Sequence, residues 1–341
     1  MNDRILDHYL DEFQLGCDVE PDGAETLFDA LIGSNNQSLI AEVLSAWNAK
    51  GTTEDELFAF ADLMRSRMKR ITSMHETFVD TVGTGGSSSK TFNVSTAAAF
   101  VIAGSGLAVA KHGNRAATSN SGSADVLAVL GINVDIEPDV AEKCLNEHSL
   151  CFMFAPRFHS LSPTLAKARR SLQKPTIFNN LGPLCNPASA PHQVIGVWDK
   201  NILAKTANVL LRLGTKQTWV VHGGNGLDEI ALDGKTHVIE IKDGASTEFE
   251  IAAVDFGVDS TSAELPPNCS AEESSKLICE ILGNERRRYD AEKLVLINAA
   301  AAIYITGHAA TLTEAYEKAE DSVRNGSAGE KLAVLVGETN K

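Results

Sequence analysis

A glycine-rich run between a strand-like and a helix-like segment most limits how this chain can fold. Residues 78–82 (FVDTV) are mostly apolar and rich in β-branched side chains, whereas alanine dominates residues 97–103. The glycines of residues 83–86 therefore stand where a strand turns into the start of a helix. A helix N-terminus offers free N–H groups and a partial positive charge, and both favour an anion. The run predicts a phosphate site in an α/β fold.

Two common phosphate-binding loops do not match this run. A Walker A loop requires glycine immediately before its Lys-Thr pair, but Ser89 precedes Lys90. A dinucleotide-binding fingerprint that opens on the first glycine of the run requires glycine where Ser88 stands. An ordinary glycine turn, capped by Asn93 or Ser95, remains open as an alternative on this evidence alone.

A second polar loop follows the next predicted strand, residues 107–110. This loop spans residues 111–125 and begins with the run KHGNR (111–115). Because ligands bind at the carboxyl ends of parallel strands, this loop and the glycine-rich run would open onto one crevice. Lys111, His112 and Arg115 would supply cationic donors there. The alternative is a solvated basic turn.

A pair of adjacent carboxylates, Asp228 and Glu229, follows a third predicted strand at residues 219–222. Mg²⁺ prefers oxygen ligands and is commonly held by one or two carboxylates together with substrate phosphates. Such a pair alone is more often a solvated turn. Beside two anion-binding loops, it indicates a site for a metal and a diphosphate.

With these motifs, the chain resembles the anthranilate phosphoribosyltransferase family, which makes phosphoribosyl-anthranilate in tryptophan biosynthesis. The resemblance runs from about Phe28 to the C-terminal helices. Its motifs are GTGG (83–86), TFNVST (91–96), KHGNR (111–115), SGSADVL (121–127), FAP (154–156), FN (178–179), LGPL (181–184), NP (186–187) and LDE (227–229).

The fold class expected is α/β, with a small N-terminal α-helical domain and a larger α/β domain around a mostly parallel central sheet. The resemblance implies the nucleoside phosphorylase-like type of phosphoribosyltransferase fold. We expect the helical domain at residues 1–73, with a helical hinge segment at about 165–186. Residues 74–164 and 187–341 would form the α/β domain.

Local patterns agree with this division. Strand-like and helix-like segments alternate from Phe78 onward. Thr53 and Glu56 have the spacing of a capping box at the start of a helix. A short strand is expected at residues 132–134, just after Gly131, which would end a helix.

The resemblance implies that the donor is 5-phosphoribosyl 1-diphosphate. Ser95, Asp228 and Glu229 are expected to bind the Mg²⁺ that holds its diphosphate. The donor-binding residues expected are Gly83, Thr84, Gly85, Gly86, Ser87, Thr91, Asn93, Ser95, Thr96, Lys111 and Ser123.

The acceptor implied by the resemblance is anthranilate, with Arg169 at the position of the arginine that binds its carboxylate. The catalytic residues expected are His112, Asn114 and Arg169, and no covalent nucleophile is needed. The acceptor-binding residues expected are Gly83, His112, Asn114, Ala155, His159, Arg169 and Pro183.

This chain departs from the family pattern at a few positions. Ser87 stands where the family usually has aspartate, and Lys174-Pro175 falls where relatives often carry glycine and arginine. Three alternatives therefore stay open: a phosphoribosyltransferase with another aromatic acceptor, a nucleoside phosphorylase, and a ligand-binding paralogue without catalysis.

Composition limits the partners of the chain. The formal net charge of −15 repels nucleic acid and anionic membranes at long range, so neither is expected as a partner. Six cysteines without Cys-x-x-Cys spacing, and the lack of an apparent leader or long apolar run, indicate a cytoplasmic protein with reduced thiols. The resemblance also implies a homodimer formed through the helical domain.

Overall fold

A seven-stranded sheet lies at the centre of the computed structural model, which describes residues 1–85, 91–116, 120–259, 264–283 and 289–341. Its strands are β1 (Phe78–Gly83), β2 (Ala108–Gly113), β3 (Leu150–Phe154), β4 (His192–Gly196), β5 (Gln217–His222), β6 (Lys235–Lys242) and β7 (Ala245–Ala252). The spatial order is β3-β2-β1-β4-β5-β6-β7. The first five strands in that order are parallel, and β6 and β7 pair antiparallel at one edge.

Helices precede the sheet in the chain and then alternate with its strands. The first four are α1 (Asn2–Gln14), α2 (Ala24–Gly33), α3 (Gln37–Lys50) and α4 (Glu54–Arg67). The others are α5 (Val94–Gly104), α6 (Ser123–Val129), α7 (Pro138–His148), α8 (Ala155–Phe158), α9 (Pro163–Leu172), α10 (Ile177–Leu184), α11 (Leu203–Arg212), α12 (Ala271–Leu282), α13 (Tyr289–Ile305), α14 (Leu312–Arg324) and α15 (Ser327–Thr339). Short 3₁₀ turns occupy Pro21–Gly23, Lys200–Ile202, Gly224–Gly226 and Ala253–Phe256. The expected fold class, a helical N-terminal region plus a mostly parallel α/β domain, is confirmed.

Local predictions are confirmed in most places. The capping box at the start of α4 forms, because Glu56 N–H donates to Thr53 Oγ1 at 3.2 Å and Thr53 N–H donates to Glu56 Oε2 at 2.8 Å. The prediction of a strand at residues 132–134 is wrong. Asn133 N–H donates to the Thr339 hydroxyl of α15 at 3.2 Å, so this segment packs under a helix and does not join the sheet.

The sheet lies between two hydrophobic cores. Successive side chains of a strand point to opposite faces. Trp219 and Val221 of β5 accordingly lie in the core formed with α5 and α13, whereas Val220 lies in the core formed with α1 to α4. The second core also includes α9, α10 and α11. The predicted domain boundaries stay a prediction, because helices and strands from both predicted domains share this core.

The parallel strands bring their following loops to one edge of the sheet. Gly83 at the end of β1 is in register with Gly196 at the end of β4, and His112 of β2 is in register with Met153 of β3. The glycine-rich run, the KHGNR loop and α8 therefore begin side by side.

Candidate active site

A cavity of about 460 Å³ opens at the carboxyl ends of these strands. It brings together nearly every predicted site residue that the structure describes. Those in its lining are Gly83, Thr84, Gly85, Asn93, Ser95, Thr96, Lys111, His112, Asn114, Ser123, Ala155, His159, Arg169, Pro183, Asp228 and Glu229.

One predicted donor residue that the structure describes, Thr91, is not in that lining. Thr91 is buried behind it, where its backbone carbonyl accepts a hydrogen bond from Cys269 N–H at 2.8 Å. Gly86 and Ser87 lie outside the described residues.

The N-terminus of α5 forms one wall of the cavity. Asn93 begins the helix, since its carbonyl accepts from the N–H groups of Thr96 and Ala97 at 3.1 Å each. Its side chain does not cap the helix, because Asn93 Oδ1 accepts from Ser121 Oγ at 2.8 Å instead. No side chain among the described residues caps this terminus, which leaves it suited to an anion.

Lys111 places a positive charge beside that terminus. The side chain is buried, and Nζ donates to the backbone carbonyl of Thr81 at 2.6 Å and to Ser95 Oγ at 3.3 Å. An ammonium group in a site with little water attracts anions more strongly than one on the surface. The pairing of Lys111 with α5 agrees with the predicted phosphate site.

The cationic role expected of Arg115 is weaker than the sequence suggested. Its guanidinium forms an ion pair with Asp125 at 3.0 Å, and both side chains are partly exposed. Arg115 lines the cavity, but Asp125 neutralises much of its charge there.

A buried aspartate that the sequence analysis missed supports the end of β2. Asp80 Oδ1 accepts from His112 N–H at 3.3 Å, and Oδ2 accepts from Asn186 Nδ2 at 2.8 Å. Burial raises the pKa of Asp80 to about 6, against the opposing effect of Lys111. The sequence does contain a sign of this role, since Asp80 is the one charged residue in the otherwise uncharged strand FVDTV.

Two histidines form a hydrogen-bonded pair in the cavity. His112 Nδ1 lies 3.2 Å from the carbonyl oxygen of Gly182, and His112 Nε2 lies 3.2 Å from His159 Nε2. Because a carbonyl only accepts, we assign the proton of neutral His112 to Nδ1. Its Nε2 lone pair then accepts from His159 Nε2.

Burial keeps both rings neutral. The pKa of His112 is held well below its ordinary value by desolvation and by the nearby His159. Desolvation lowers the pKa of His159 to about 4. The two rings are therefore uncharged at neutral pH and held in place by their hydrogen bond. The His112 Nε2 lone pair is occupied by the bond from His159.

The predicted metal ligands Asp228 and Glu229 are buried in the cavity wall. Asp228 Oδ2 accepts from Gly85 N–H at 3.0 Å, whereas Oδ1 has no hydrogen-bond partner among the described residues. A β-carbon on Gly83 would lie 2.6 Å from Asp228 Oδ2, and one on Gly196 would overlap the Asp228 carbonyl oxygen. At Gly196 only glycine lets the backbone of the acidic loop sit this close to the sheet, whereas a β-carbon at Gly83 would displace the Asp228 carboxylate.

This arrangement fits a magnesium ion that is completed by a substrate. A buried carboxylate oxygen with unused lone pairs suits a hard cation. In the described ranges, no group of three or more His, Cys, Asp or Glu side chains could hold a metal alone. Any Mg²⁺ here would take its remaining ligands from Ser95, water or a bound phosphate.

Arg169 on α9 faces the cavity from the helical side. Its guanidinium carbon lies 5.2 Å from the centre of the Phe178 ring, and its buried Nε has no hydrogen-bond partner in the described part of the chain. Desolvation, with a smaller effect of Arg170, lowers the pKa of Arg169 to about 10, so the group stays charged at pH 7. A buried cation with an unused N–H suits a carboxylate ligand.

Comparison with known proteins gives the family. Residues 75–329 match the model of the glycosyl transferase family, a/b domain. The anthranilate phosphoribosyltransferase of Anaeromyxobacter dehalogenans (strain 2CP-C) is 41% identical over 336 residues, which cover 98% of this chain and 99% of that protein. This chain belongs to the anthranilate phosphoribosyltransferase family.

Solved structures of the anthranilate phosphoribosyltransferase family have the same fold. The crystal structure of the Thermus thermophilus protein is 33% identical, with a TM-score of 0.86 and coverage of 98% of this chain and 99% of that one. The Saccharomyces cerevisiae protein in complex with PRPP, 5-phosphoribosyl 1-diphosphate, and Mg is 25% identical, with a TM-score of 0.86 and coverage of 98% of both chains.

Several cavity residues of this family member were not assigned a role from the sequence. Phe178 and Gly182 stood within the family motifs but were not expected to contact a ligand or a histidine. Arg170 and Met64 also line the cavity. Met64 comes from α4, and no local signal links that helix to the loops of the sheet.

Proposed function

We propose that this chain transfers the phosphoribosyl group of 5-phosphoribosyl 1-diphosphate to the amino group of anthranilate, releasing diphosphate, in tryptophan biosynthesis. One observation carries the proposal. An anion-binding helix terminus with a buried lysine, a carboxylate pair and a buried arginine with an unused N–H all face one cavity. Relatives that match this chain over nearly their full length are named anthranilate phosphoribosyltransferase.

The donor side of the cavity would stabilise the leaving group. As the bond from C1 of the ribose to the diphosphate oxygen breaks, negative charge grows on diphosphate and positive charge on the sugar. Lys111 and the N–H groups at the start of α5 offer fixed positive charge to the departing diphosphate. Asp228, Glu229 and Ser95 would hold Mg²⁺, which neutralises diphosphate charge when bound.

The acceptor side would hold anthranilate for direct attack on C1. Arg169 is assigned to its carboxylate, because a guanidinium can donate two parallel hydrogen bonds to it. Asn114 and the neutral histidine pair would orient the ring and its amine. The new bond forms between the amine nitrogen and C1, and the amine proton leaves to water or diphosphate. Fixing the two reactants in this geometry lowers the entropic part of the barrier.

The proposal includes a setting for the enzyme. We infer a homodimer through the helical domain in the cytoplasm, with small molecules as ligands and Mg²⁺ as the metal. The six cysteines all lie in the described ranges and form no disulfide, which agrees with a reducing compartment. No helix in the described ranges is long and apolar enough to cross a membrane.

The first test follows anthranilate fluorescence with purified protein, 5-phosphoribosyl 1-diphosphate and Mg²⁺. We expect the fluorescence to decay only when all components are present, and a chelator to stop the decay. Calorimetry on the same sample measures donor binding independently. Donor binding without anthranilate consumption would reject anthranilate as the acceptor and favour another aromatic amine or a non-catalytic role.

A further inference from the structure

A buried asparagine just outside the cavity lining holds the acidic loop in place. Asn298 lies on α13 and is 4% exposed. Its Oδ1 accepts from Ile230 N–H at 2.9 Å, and its Nδ2 donates to the Ile230 carbonyl at 3.0 Å. Ile230 directly follows the Asp228-Glu229 pair, so the amide satisfies both backbone groups of the next residue.

These bonds leave the acidic loop little freedom. Ile230 is buried, so its backbone N–H and carbonyl would be unsatisfied without Asn298. A second Nδ2 bond, to the Leu294 carbonyl of α13 at 2.8 Å, fixes the amide on its own helix. One residue further on, Ala231 N–H donates to Thr236 Oγ1 at 3.0 Å.

The sheet restrains the same loop from the other side. The Asp228 carbonyl oxygen lies where a β-carbon of Gly196 would stand, and Gly85 N–H binds the Asp228 carboxylate. The loop is therefore held between a helix and the strand ends. Helix α13 itself packs on β1, β4 and β5, so it is anchored to the sheet that carries the donor loops.

We propose that Asn298 is a positioning residue for the Asp228-Glu229 pair. By fixing the backbone immediately after the pair, it holds the carboxylates against the cavity where a diphosphate-bound Mg²⁺ would meet them. This inference rests on the proposed function, because that proposal assigns the pair to the metal. A displacement of about 1 Å in such a group is enough to impair its chemistry.

The test measures binding and does not depend on turnover. Diphosphate is titrated into the full chain with saturating Mg²⁺, by calorimetry, for wild type and Asn298→Ala. We expect Asn298→Ala to weaken diphosphate binding by about ten-fold or more, the usual effect of removing a partner behind metal ligands. Anthranilate binding, measured separately, should be unchanged.

Thr339→Val is the matched control for lost stability. Thr339 is also buried on a helix, donates to a carbonyl one turn back at 2.8 Å, and accepts from a loop N–H at 3.2 Å, but it lies at α15. Thr339→Val should lower the urea midpoint of unfolding without weakening diphosphate binding. Equal binding by Asn298→Ala and Thr339→Val would overturn the proposal.

A double-mutant cycle separates positioning from a general structural role. If Asn298 acts through the carboxylates, Asn298→Ala should cause little further loss of affinity in an Asp228→Asn background. Additive losses would contradict the proposal, as would normal affinity of Asp228→Asn for Mg²⁺ and diphosphate. If Asn298→Ala does not fold, Asn298→Ser replaces it, because its short hydroxyl cannot bond both backbone groups of Ile230. About five-fold weaker binding that disappears in the Asp228→Asn background is expected.

These outcomes are distinct from failure of the proposed function. Wild-type protein that binds diphosphate with Mg²⁺ but consumes no anthranilate would reject the acceptor while leaving the role of Asn298 intact.

Discussion

At the scale of single residues, Arg169 is the side chain on which acceptor recognition should depend. Burial removes water from its guanidinium, and no described residue accepts a hydrogen bond from Nε. A bound carboxylate could therefore form a charge-assisted hydrogen bond with it. Arg169→Ala should weaken anthranilate binding by about 10–100-fold, which corresponds to about 1.5–3 kcal/mol. Donor binding should change little, and calorimetry measures both.

Arg157→Ala provides the matched control for that prediction. Arg157 is an arginine on α8 outside the cavity lining, and its guanidinium is engaged by Asp135 at 2.6 Å and Glu137 at 2.9 Å on the surface. Removing it should leave both affinities unchanged. Equal losses of donor and acceptor binding in Arg169→Ala would contradict a role confined to the acceptor.

The histidine pair predicts how stability depends on pH. The pKa of His159 falls to about 4 in the folded state, from a usual 6.5, because the buried ring resists protonation. The unfolded chain therefore binds a proton that the folded chain does not, and stability is lost as pH falls from about 6.5 towards 4. A shift of this size corresponds to up to about 3 kcal/mol.

Urea unfolding of wild type and His159→Gln at several pH values measures this effect. The glutamine cannot titrate, so the stability difference between the two proteins should narrow as pH falls below about 6.5. A difference that stays constant between about pH 7 and pH 5 would mean that His159 is not held neutral by its site.

At the scale of elements, the end of α9 is strained. Gln173 follows the helix with φ 49° and ψ 27°, the left-handed conformation that favours glycine. Gln173→Gly should raise the free energy of unfolding by about 0.5–1 kcal/mol, because the steric cost exceeds the entropy that glycine adds to the unfolded chain. Gln173→Ala keeps the β-carbon and should give no such gain. The urea midpoints of unfolding of the two variants test this prediction. A glycine variant that is no more stable than the alanine variant would contradict it.

Elements defined by neighbouring residues were predictable from the sequence, and those defined by distant partners were not. β1, α5 and the capping box of α4 follow from short apolar, glycine and polar patterns. The segment 132–134 has a strand-like pattern, but its N–H partner lies on α15, at the other end of the chain. Asn298 reaches Ile230 over a separation of 68 residues, and no local pattern marks such a bond. The cavity residues were found largely because the family motifs already group distant positions.

At the scale of the whole molecule, the sheet connects the two cores. Val194 of β4 lies in the core with α5 and α13, whereas its neighbour Ile195 lies in the core with α1 to α4. β6 behaves in the same way, with Val238 in the first core and Ile239 in the second. Neither core can lose its sheet face without exposing the other. We therefore expect the helical layer and the sheet to unfold in one transition.

Glu56 allows this cooperativity to be tested from the helical side. Its buried carboxylate accepts from Val19 N–H at 2.9 Å and Trp47 Nε1 at 3.0 Å, and it pairs with the buried Lys50 at 3.0 Å. Removing one partner of a buried ion pair costs about 3–5 kcal/mol, so Glu56→Ala should lower the free energy of unfolding by that amount. Amide hydrogen exchange in graded urea, read by mass spectrometry, follows α3 and β5 separately.

In Glu56→Ala, the protection of α3 and β5 should be lost at the same urea concentration, lower than in wild type. Thr339→Val, on the opposite side of the sheet, should likewise shift both segments together by a smaller amount. Loss of protection in α3 while β5 stays protected would show that the helical layer unfolds alone. In that case, the shared faces of β4 to β6 would contribute too little to couple the cores, and the helical layer would be an independent domain.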